Sequence, residues 1–388
     1  MKKLNKLQQL SFIIRREYWA ISTSYAVLLV LMGGIFVYGL LYNYMYAPNI
    51  VTDVPVAVVD NSHSELSRNF IRWLDATPQA EIYDQAMDYH EAKEWMKAGK
   101  VQGILYLPHD FEERVFRGDE AVFSLYATTD AFLYFEALQG ASSRVMLAIN
   151  DKYRPDGAVF LPPQGLLAVA MAKPVNVAGT ALYNYTEGYG SYLIPAVMVI
   201  IIFQTLLMVI GMLTGEEHMT KGILAYTPFG KSWAVAIRIV AGKTFVYCSL
   251  YAVFSFFLLG LLPHFFSIPN IGNGLYIVLM IPYLLATSFL GLAASRYFTD
   301  SEAPLLMIAF FSVGLIFLSG VSYPMELMPW YWKAAHYIFP AAPATLAFVK
   351  LNSMGASMAD IQLEYITLWI QVIVYFALSI WVYKRKLS

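Results

Sequence analysis

Asp60, Ser62, His63 and Ser64 bring the side-chain types of a hydrolase triad into one short stretch, the first place in this 388-residue chain where chemistry could be sought. The spacing excludes it. Triad members converge from separated segments, whereas neighbours in one strand-to-helix turn point apart, and Asp and Ser serve readily there as helix caps. Ala241-Gly242-Lys243-Thr244 resembles the end of a phosphate-binding loop. That motif needs a further Gly where Ile237 stands, and a strand-to-loop junction where this chain has apolar helix. A lysine snorkelling near the cytoplasmic end of a helix fits the segment better. The lone Cys248 lies in an apolar run, which rules out an intrachain disulfide and a thiolate cluster. His63, His90, His109, His218, His264 and His336 are scattered without metal-ligand spacing. No catalytic, metal or cofactor residue is predicted in this chain.

The elements around these residues are those of a membrane protein. The chain is 58% hydrophobic and only 14% charged, and six apolar runs are each long enough for a helix to cross a ~30 Å hydrocarbon core. They lie at about 22–44, 191–213, 234–262, 274–294, 303–321 and 363–383, one set against five by a polar stretch. Secondary carriers need ionisable groups midway along such runs, and these centres are nearly free of them. Energy for any transport therefore comes from elsewhere.

Basic residues near the runs set the orientation, because they resist translocation. Lys2, Lys3, Lys6, Arg15 and Arg16 precede the first run, Lys221 and Lys231 lie between the second and third, Arg296 follows the fourth, and Lys384, Arg385 and Lys386 close the chain. Both termini are thus expected in the cytoplasm. Residues 1–20 are expected as an uncleaved interfacial helix, 21–44 as the first membrane helix, and 45–190 as a domain outside. Residues 191–388 then form a five-helix membrane domain. The fold class expected is membrane α-helical with six transmembrane helices and an inserted α/β extracytoplasmic domain.

Within the outer block, short β-branched runs alternate with helical patterns. Val54–Val59 is the first strand. Ser62 and Glu65 have capping-box spacing for the helix that follows, and Glu81–Asp84 makes a weak second strand. Asp88 can cap a helix that exits at Gly99. Val101–Leu107 and Ala121–Ala127 are further strands, with a helix starting at Pro108 between them, and Asp130 to about Lys152 is a long helix. Connections of helical length favour parallel pairing.

Two segments of the membrane domain carry more specific patterns. The inner loop at 214–233 contains Glu216-Glu217, Lys221-Gly222 and Thr227-Pro228. Near the fifth run, Ser319-Gly320 is followed by Pro324, Pro329, Trp330 and later Pro340. Pro and Gly interrupt a helix there, and Trp330, Tyr331, Trp332 and Tyr337 supply amphipathic rings suited to a membrane interface.

Both segments resemble ABC-2 type transporter permeases. The first is similar to the coupling loop after the second membrane helix of that family, with a Gly-Lys in the third helix. The second is similar to the broken hairpin that dips back into the outer leaflet, here 319–350. The likeness extends to Val56–Ser62, which resembles the start of the external domain in the one-plus-five subgroup. Where many relatives show Tyr-Asn-Pro, this chain has Tyr183-Asn184-Tyr185, so no substrate contact is carried over there.

The resemblance implies the permease subunit of an ATP-driven exporter in the bacterial inner membrane. Two permease copies, or one with a similar chain, would work with separate ATP-binding subunits that hold the ATP and Mg. An envelope adaptor protein is a further implied partner besides the lipid membrane; nucleic acid is not one. Glu216, Glu217 and Lys221 would contact the ATPase, while Gly222, Thr227 and Pro228 shape the turns. Ser319, Gly320, Pro324, Pro329 and Pro340 would shape the re-entrant segment. The aromatic content, 28 Tyr and 25 Phe, favours an amphipathic or lipid-like cargo. The competing class is a membrane-anchored adaptor or envelope assembly protein whose external domain binds a partner without transport.

Overall fold

The computed structural model describes residues 5–46, 51–117, 121–127, 132–152, 189–266 and 274–387. Lys2, Lys3 and the Tyr183–Glu187 segment lie outside the described residues. The chain divides into two compact units: Met1–Asn49 with Ala181–Ser388, and Ile50–Thr180.

The Ile50–Thr180 unit is built on a sheet of β1 (Val54–Asp60), β2 (Ala80–Gln85), β3 (Gly103–Leu107) and β4 (Ser124–Ala127) in the order β2-β1-β3-β4. β1 pairs in parallel with β2 and β3, and β4 returns antiparallel on β3. β1 is apolar from Val54 to Val59 because both its faces are covered. Val54, Val56 and Val58 join a core with Phe70, Leu74 and Leu138, whereas Ala57 and Val59 join Ala92, Val101 and Ile104.

The turn after β1 is a cap and holds no triad. One Asp60 oxygen accepts the backbone N–H of Ser62 and of His63, both at 3.0 Å, and the other accepts the Ser67 hydroxyl at 2.7 Å. With Asp60 holding Ser62 and His63 in the turn, the helix Glu65–Asp75 starts later than the spacing predicts. Ser64, rather than Ser62, is its N-cap, in a reciprocal box with Ser67. Asp88 caps Tyr89–Lys97, and Gly99 takes the left-handed exit at φ 72°. The helix after β3 runs Phe111–Arg117, starting past Pro108.

The other unit begins with α1 (Lys6–Thr23), capped by Asn5 and broken from the next helix where Ser24 turns extended. α2 (Tyr25–Met45) follows, then α3 (Tyr189–Met219), a 3-10 turn at Gly222–Phe229, α4 (Trp233–Phe265) and α5 (Tyr276–Ala294). α6 (Ala303–Leu318), α7 (Trp330–His336), α8 (Ala341–Ser353) and α9 (Gln362–Leu387) complete it. Single π-helical turns interrupt α2 at Met32–Val37 and α4 at Phe256–Leu261.

Among the described residues, five helices are long and apolar enough to cross a membrane: α2, α3 from Leu193, α4, α5 and α9. α3 is the centre, with 83% of its apolar stretch buried against 28% in α2 and α9. The fifth expected run, 303–321, forms only the 16-residue α6, about 24 Å long at 1.5 Å per residue against a core of about 30 Å. Its ends are fixed locally. Asp300 accepts the N–H of Glu302 at 3.0 Å and of Ala303 at 2.7 Å, and Gly320 leaves the helix at φ 84°.

Lipid chains are as apolar as leucine, so close packing and interhelical hydrogen bonds hold such helices together. The Tyr283 hydroxyl of α5 donates to the Val199 carbonyl of α3 at 2.6 Å. At Gly215 the chain before α6 comes so close that an added Cβ would lie 1.9 Å from the Asp300 carbonyl oxygen. Because that neighbour is backbone, no rotamer can relieve the clash. Gly215→Ala is expected to destabilise the protein by about 1–3 kcal/mol or more, as overpacking does, and to lower the unfolding midpoint in detergent. Gly314→Ala, where a Cβ meets nothing within 4 Å, serves as control and should leave the midpoint unchanged or raise it.

Candidate functional site

The helical pattern Ile13, Glu17, Ile21 places a carboxylate in the middle of the buried stripe of α1. That stripe lies on α4, where Gly242 clears the way: a Cβ there would stand 2.8 Å from Ile13 Cγ2. The close approach brings Glu17 to Lys243, and both are nearly inaccessible, at 3% and 2% exposure. Lys243 Nζ lies 2.8 Å from Glu17 Oε2 and 3.3 Å from Glu217 Oε2. Arg16 closes the set, 3.2 Å from Glu217 Oε1, and donates to the Gly222 carbonyl at 2.9 Å. The Tyr247 hydroxyl donates to Glu17.

Two carboxylates and two cations thus balance, and between them they join α1, the end of α3, the following loop and α4. The Arg16 guanidinium also lies 4.6 Å over the ring of the fully buried Tyr226. Burial opposes the Arg16 charge, but Tyr226, Glu217 and Glu17 outweigh it and hold its pKa above the ordinary value. Burial, above all, pushes the Tyr226 hydroxyl up to about 12; Glu217 and Glu17 raise it further, and Lys243 and Arg16 act against them. Such a cluster is costly to break, because removing one partner strands the others away from water.

Glu217 is therefore internal, on the buried side of the last turn of α3. Glu216, Lys221, Thr227 and Pro228 are exposed and Gly222 is half-buried. The loop is the end of α3, a left-handed residue at Lys221 (φ 52°), and the 3-10 turn that carries Thr227 and Pro228. Lys243 does not snorkel, since its carboxylate partners lie inside the protein. Glu17 was not among the residues singled out from sequence, although a charge on the Ile13–Ile21 stripe was the available signal.

The second segment is pinned rather than loose. Ser319 is buried, and its hydroxyl donates to the Ile316 carbonyl at 2.6 Å and accepts the Val321 N–H at 3.3 Å. A Cβ on Gly320 would stand 2.7 Å from Met325 Cγ. Pro324 and Pro329 precede the short helices Met325–Leu327 and Trp330–His336, and Pro340 precedes α8. His336, 1% exposed, has Nδ1 2.7 Å from the Leu318 carbonyl, an acceptor that the end of α6 leaves open. Gln371 of α9 donates to the Tyr337 carbonyl at 2.8 Å, and Lys350 pairs with Glu364 at 2.6 Å. Ser353 of α8 reaches the Ser191 carbonyl at the start of α3. The broken segment and the charged loop therefore belong to opposite ends of one 31-residue helix, about 46 Å long.

Several apolar helices of spanning length, with a charged cluster at one end and a broken hairpin at the other, define a multi-pass membrane protein. Residues 20–381 match the profile of the ABC-2 family transporter proteins, and the chain belongs to that family as the membrane component of an ABC transporter. No curated protein and no solved structure matches it.

The cluster has a measurable signature. Lys243→Met leaves Glu17 and Glu217 buried without their shared cation and is expected to cost about 3–5 kcal/mol, read as a lower unfolding midpoint in detergent. Adding Glu17→Met should recover a large part of that loss. Additive losses would show that the two residues act independently.

Proposed function

We propose that this chain is the permease subunit of an ATP-driven exporter whose ATP-binding subunits are separate chains holding the ATP and Mg. Two copies, or one with a similar chain, form the membrane part in the bacterial inner membrane, with both termini and the 214–233 loop cytoplasmic and the Ile50–Thr180 unit outside. The observation that carries this reading is the ion cluster that ties the loop to α1, α3 and α4. A loop that only connected two helices would have no need of the two ion pairs that hold Glu217 to Arg16 and Lys243.

In this reading the exposed Glu216, Lys221, Thr227 and Pro228 meet the ATP-binding subunit, and Gly222 sets the turn. Glu217 takes the push inward through Arg16 and Lys243. At the other end, Ser319, Gly320, Pro324, Pro329 and Pro340 form a re-entrant segment in the outer leaflet, with α6 completing the crossing. Trp330, Tyr331 and Trp332 are all exposed, which suits an interface and an amphipathic or lipid-like cargo. The outer unit would receive that cargo or dock an envelope adaptor.

The test is reconstitution with the ATP-binding subunit that copurifies in mild detergent. Lys221→Glu and Glu216→Lys set like charges against the partner's groups and are expected to weaken association roughly tenfold or more, lowering stimulated ATPase activity without moving the unfolding midpoint. Glu217→Lys should instead lower the midpoint. Unchanged activity in both loop variants would remove the contact role, and consistent absence of any ATP-binding subunit, with an envelope protein in its place, would favour an adaptor.

A further inference from the structure

Two arginines, one in α9 and one just past α5, share one indole. Arg385, in the last turn of α9, has its guanidinium carbon 4.0 Å from the Trp381 ring centre, and Arg296, just past α5, lies 5.8 Å from the same ring. Among the described residues neither is within ion-pair distance of a carboxylate, and both are exposed. The neighbouring Lys386 is half-buried and takes no part in the pair, its Nζ held by Ser295 O at 3.1 Å and Ser295 Oγ at 3.0 Å. Two exposed guanidinium groups on one indole, with no carboxylate among the described residues paired to either, make a positive spot that attracts an anion.

The surface leading away from the pair is apolar. Ile370, Val374, Leu378 and Trp381 recur at three- and four-residue steps along α9, and all are exposed, so they form one continuous stripe. We propose that this face binds an anionic phospholipid. Its phosphate sits on Arg296 and Arg385, its glycerol region rests against Trp381, and one acyl chain lies along Leu378, Val374 and Ile370.

A planar guanidinium matches phosphate oxygens two at a time, and the indole belongs at the depth where headgroup meets chain. A second copy meeting the same face symmetrically would set arginines against arginines. The proposal depends only on α5 and α9 being membrane helices and stands apart from the ATPase-coupling reading.

Native mass spectrometry of the full-length protein in nonionic detergent tests it, with phosphatidylglycerol and phosphatidylcholine of matched chains offered together. Wild type should retain phosphatidylglycerol preferentially. Each arginine contributes roughly fivefold near a membrane surface, so Arg296→Gln with Arg385→Gln should lower the preference roughly twentyfold, while Arg→Lys at both positions keeps most of it. An unchanged preference in the glutamine variant overturns the assignment. Displacement of phosphatidylglycerol by inorganic phosphate at millimolar concentration overturns it too, since the ligand would then be a free anion. A second readout leaves the arginines intact. The emission lost in Trp381→Phe should be quenched more by chain-brominated phosphatidylglycerol than by brominated phosphatidylcholine, and equal quenching counts against the site.

Discussion

A lysine held between two carboxylates, out of reach of water, is the interaction on which the described membrane unit turns. Lys243 is 2% exposed and serves Glu17 and Glu217 together. Charges buried this deeply gain little net stability over an apolar replacement, yet they tolerate the loss of any one member badly. Their value is specificity. α1 can dock on α4 only where Glu17 finds Lys243, and the end of α3 can settle only where Glu217 finds Lys243 and Arg16. Gly242, one residue away, sets the approach distance that makes the first pairing reachable.

The two ends of α3 then differ in kind. At the charged end, side chains from four segments converge and the four ionised groups of the cluster are paired within the protein. At the other end the chain breaks repeatedly, but each break is answered by a specific partner: Ser319 on its own helix, His336 on the Leu318 carbonyl, Gln371 on the Tyr337 carbonyl. Pro and Gly here do not produce looseness. They produce a defined irregular path.

Much of this was legible in the sequence because it depends on local pattern. The apolar run Val54–Val59 became most of β1, and long apolar runs with few or no charges became α2, α3, α4, α5 and α9. What escaped depends on pairing across long separations. Glu17 and Lys243 are 226 positions apart, and nothing local says that a charge on the α1 stripe has a partner waiting. Sequence alone therefore makes Lys243 a snorkelling lysine and Glu217 a contact for the ATPase, whereas in the structure the two pair with each other. The fifth apolar run, 303–321, misled for a different reason: an apolar run continues through Ser319 and Gly320, but the helix stops at Leu318 because Gly320 turns left-handed.

The contact between Gly215 and Asp300 has a mechanical meaning. Side-chain contacts are compliant, since a rotamer change can absorb a displacement of an ångström or so before anything else moves. Backbone pressed on backbone has no such slack. Asp300 is also the residue whose carboxylate starts α6, so the stiffest joint in this region lies between the charged end of α3 and the first turn of α6. A displacement of that end of α3 would reach α6 almost undamped, whereas the route through exposed loop side chains would dissipate it.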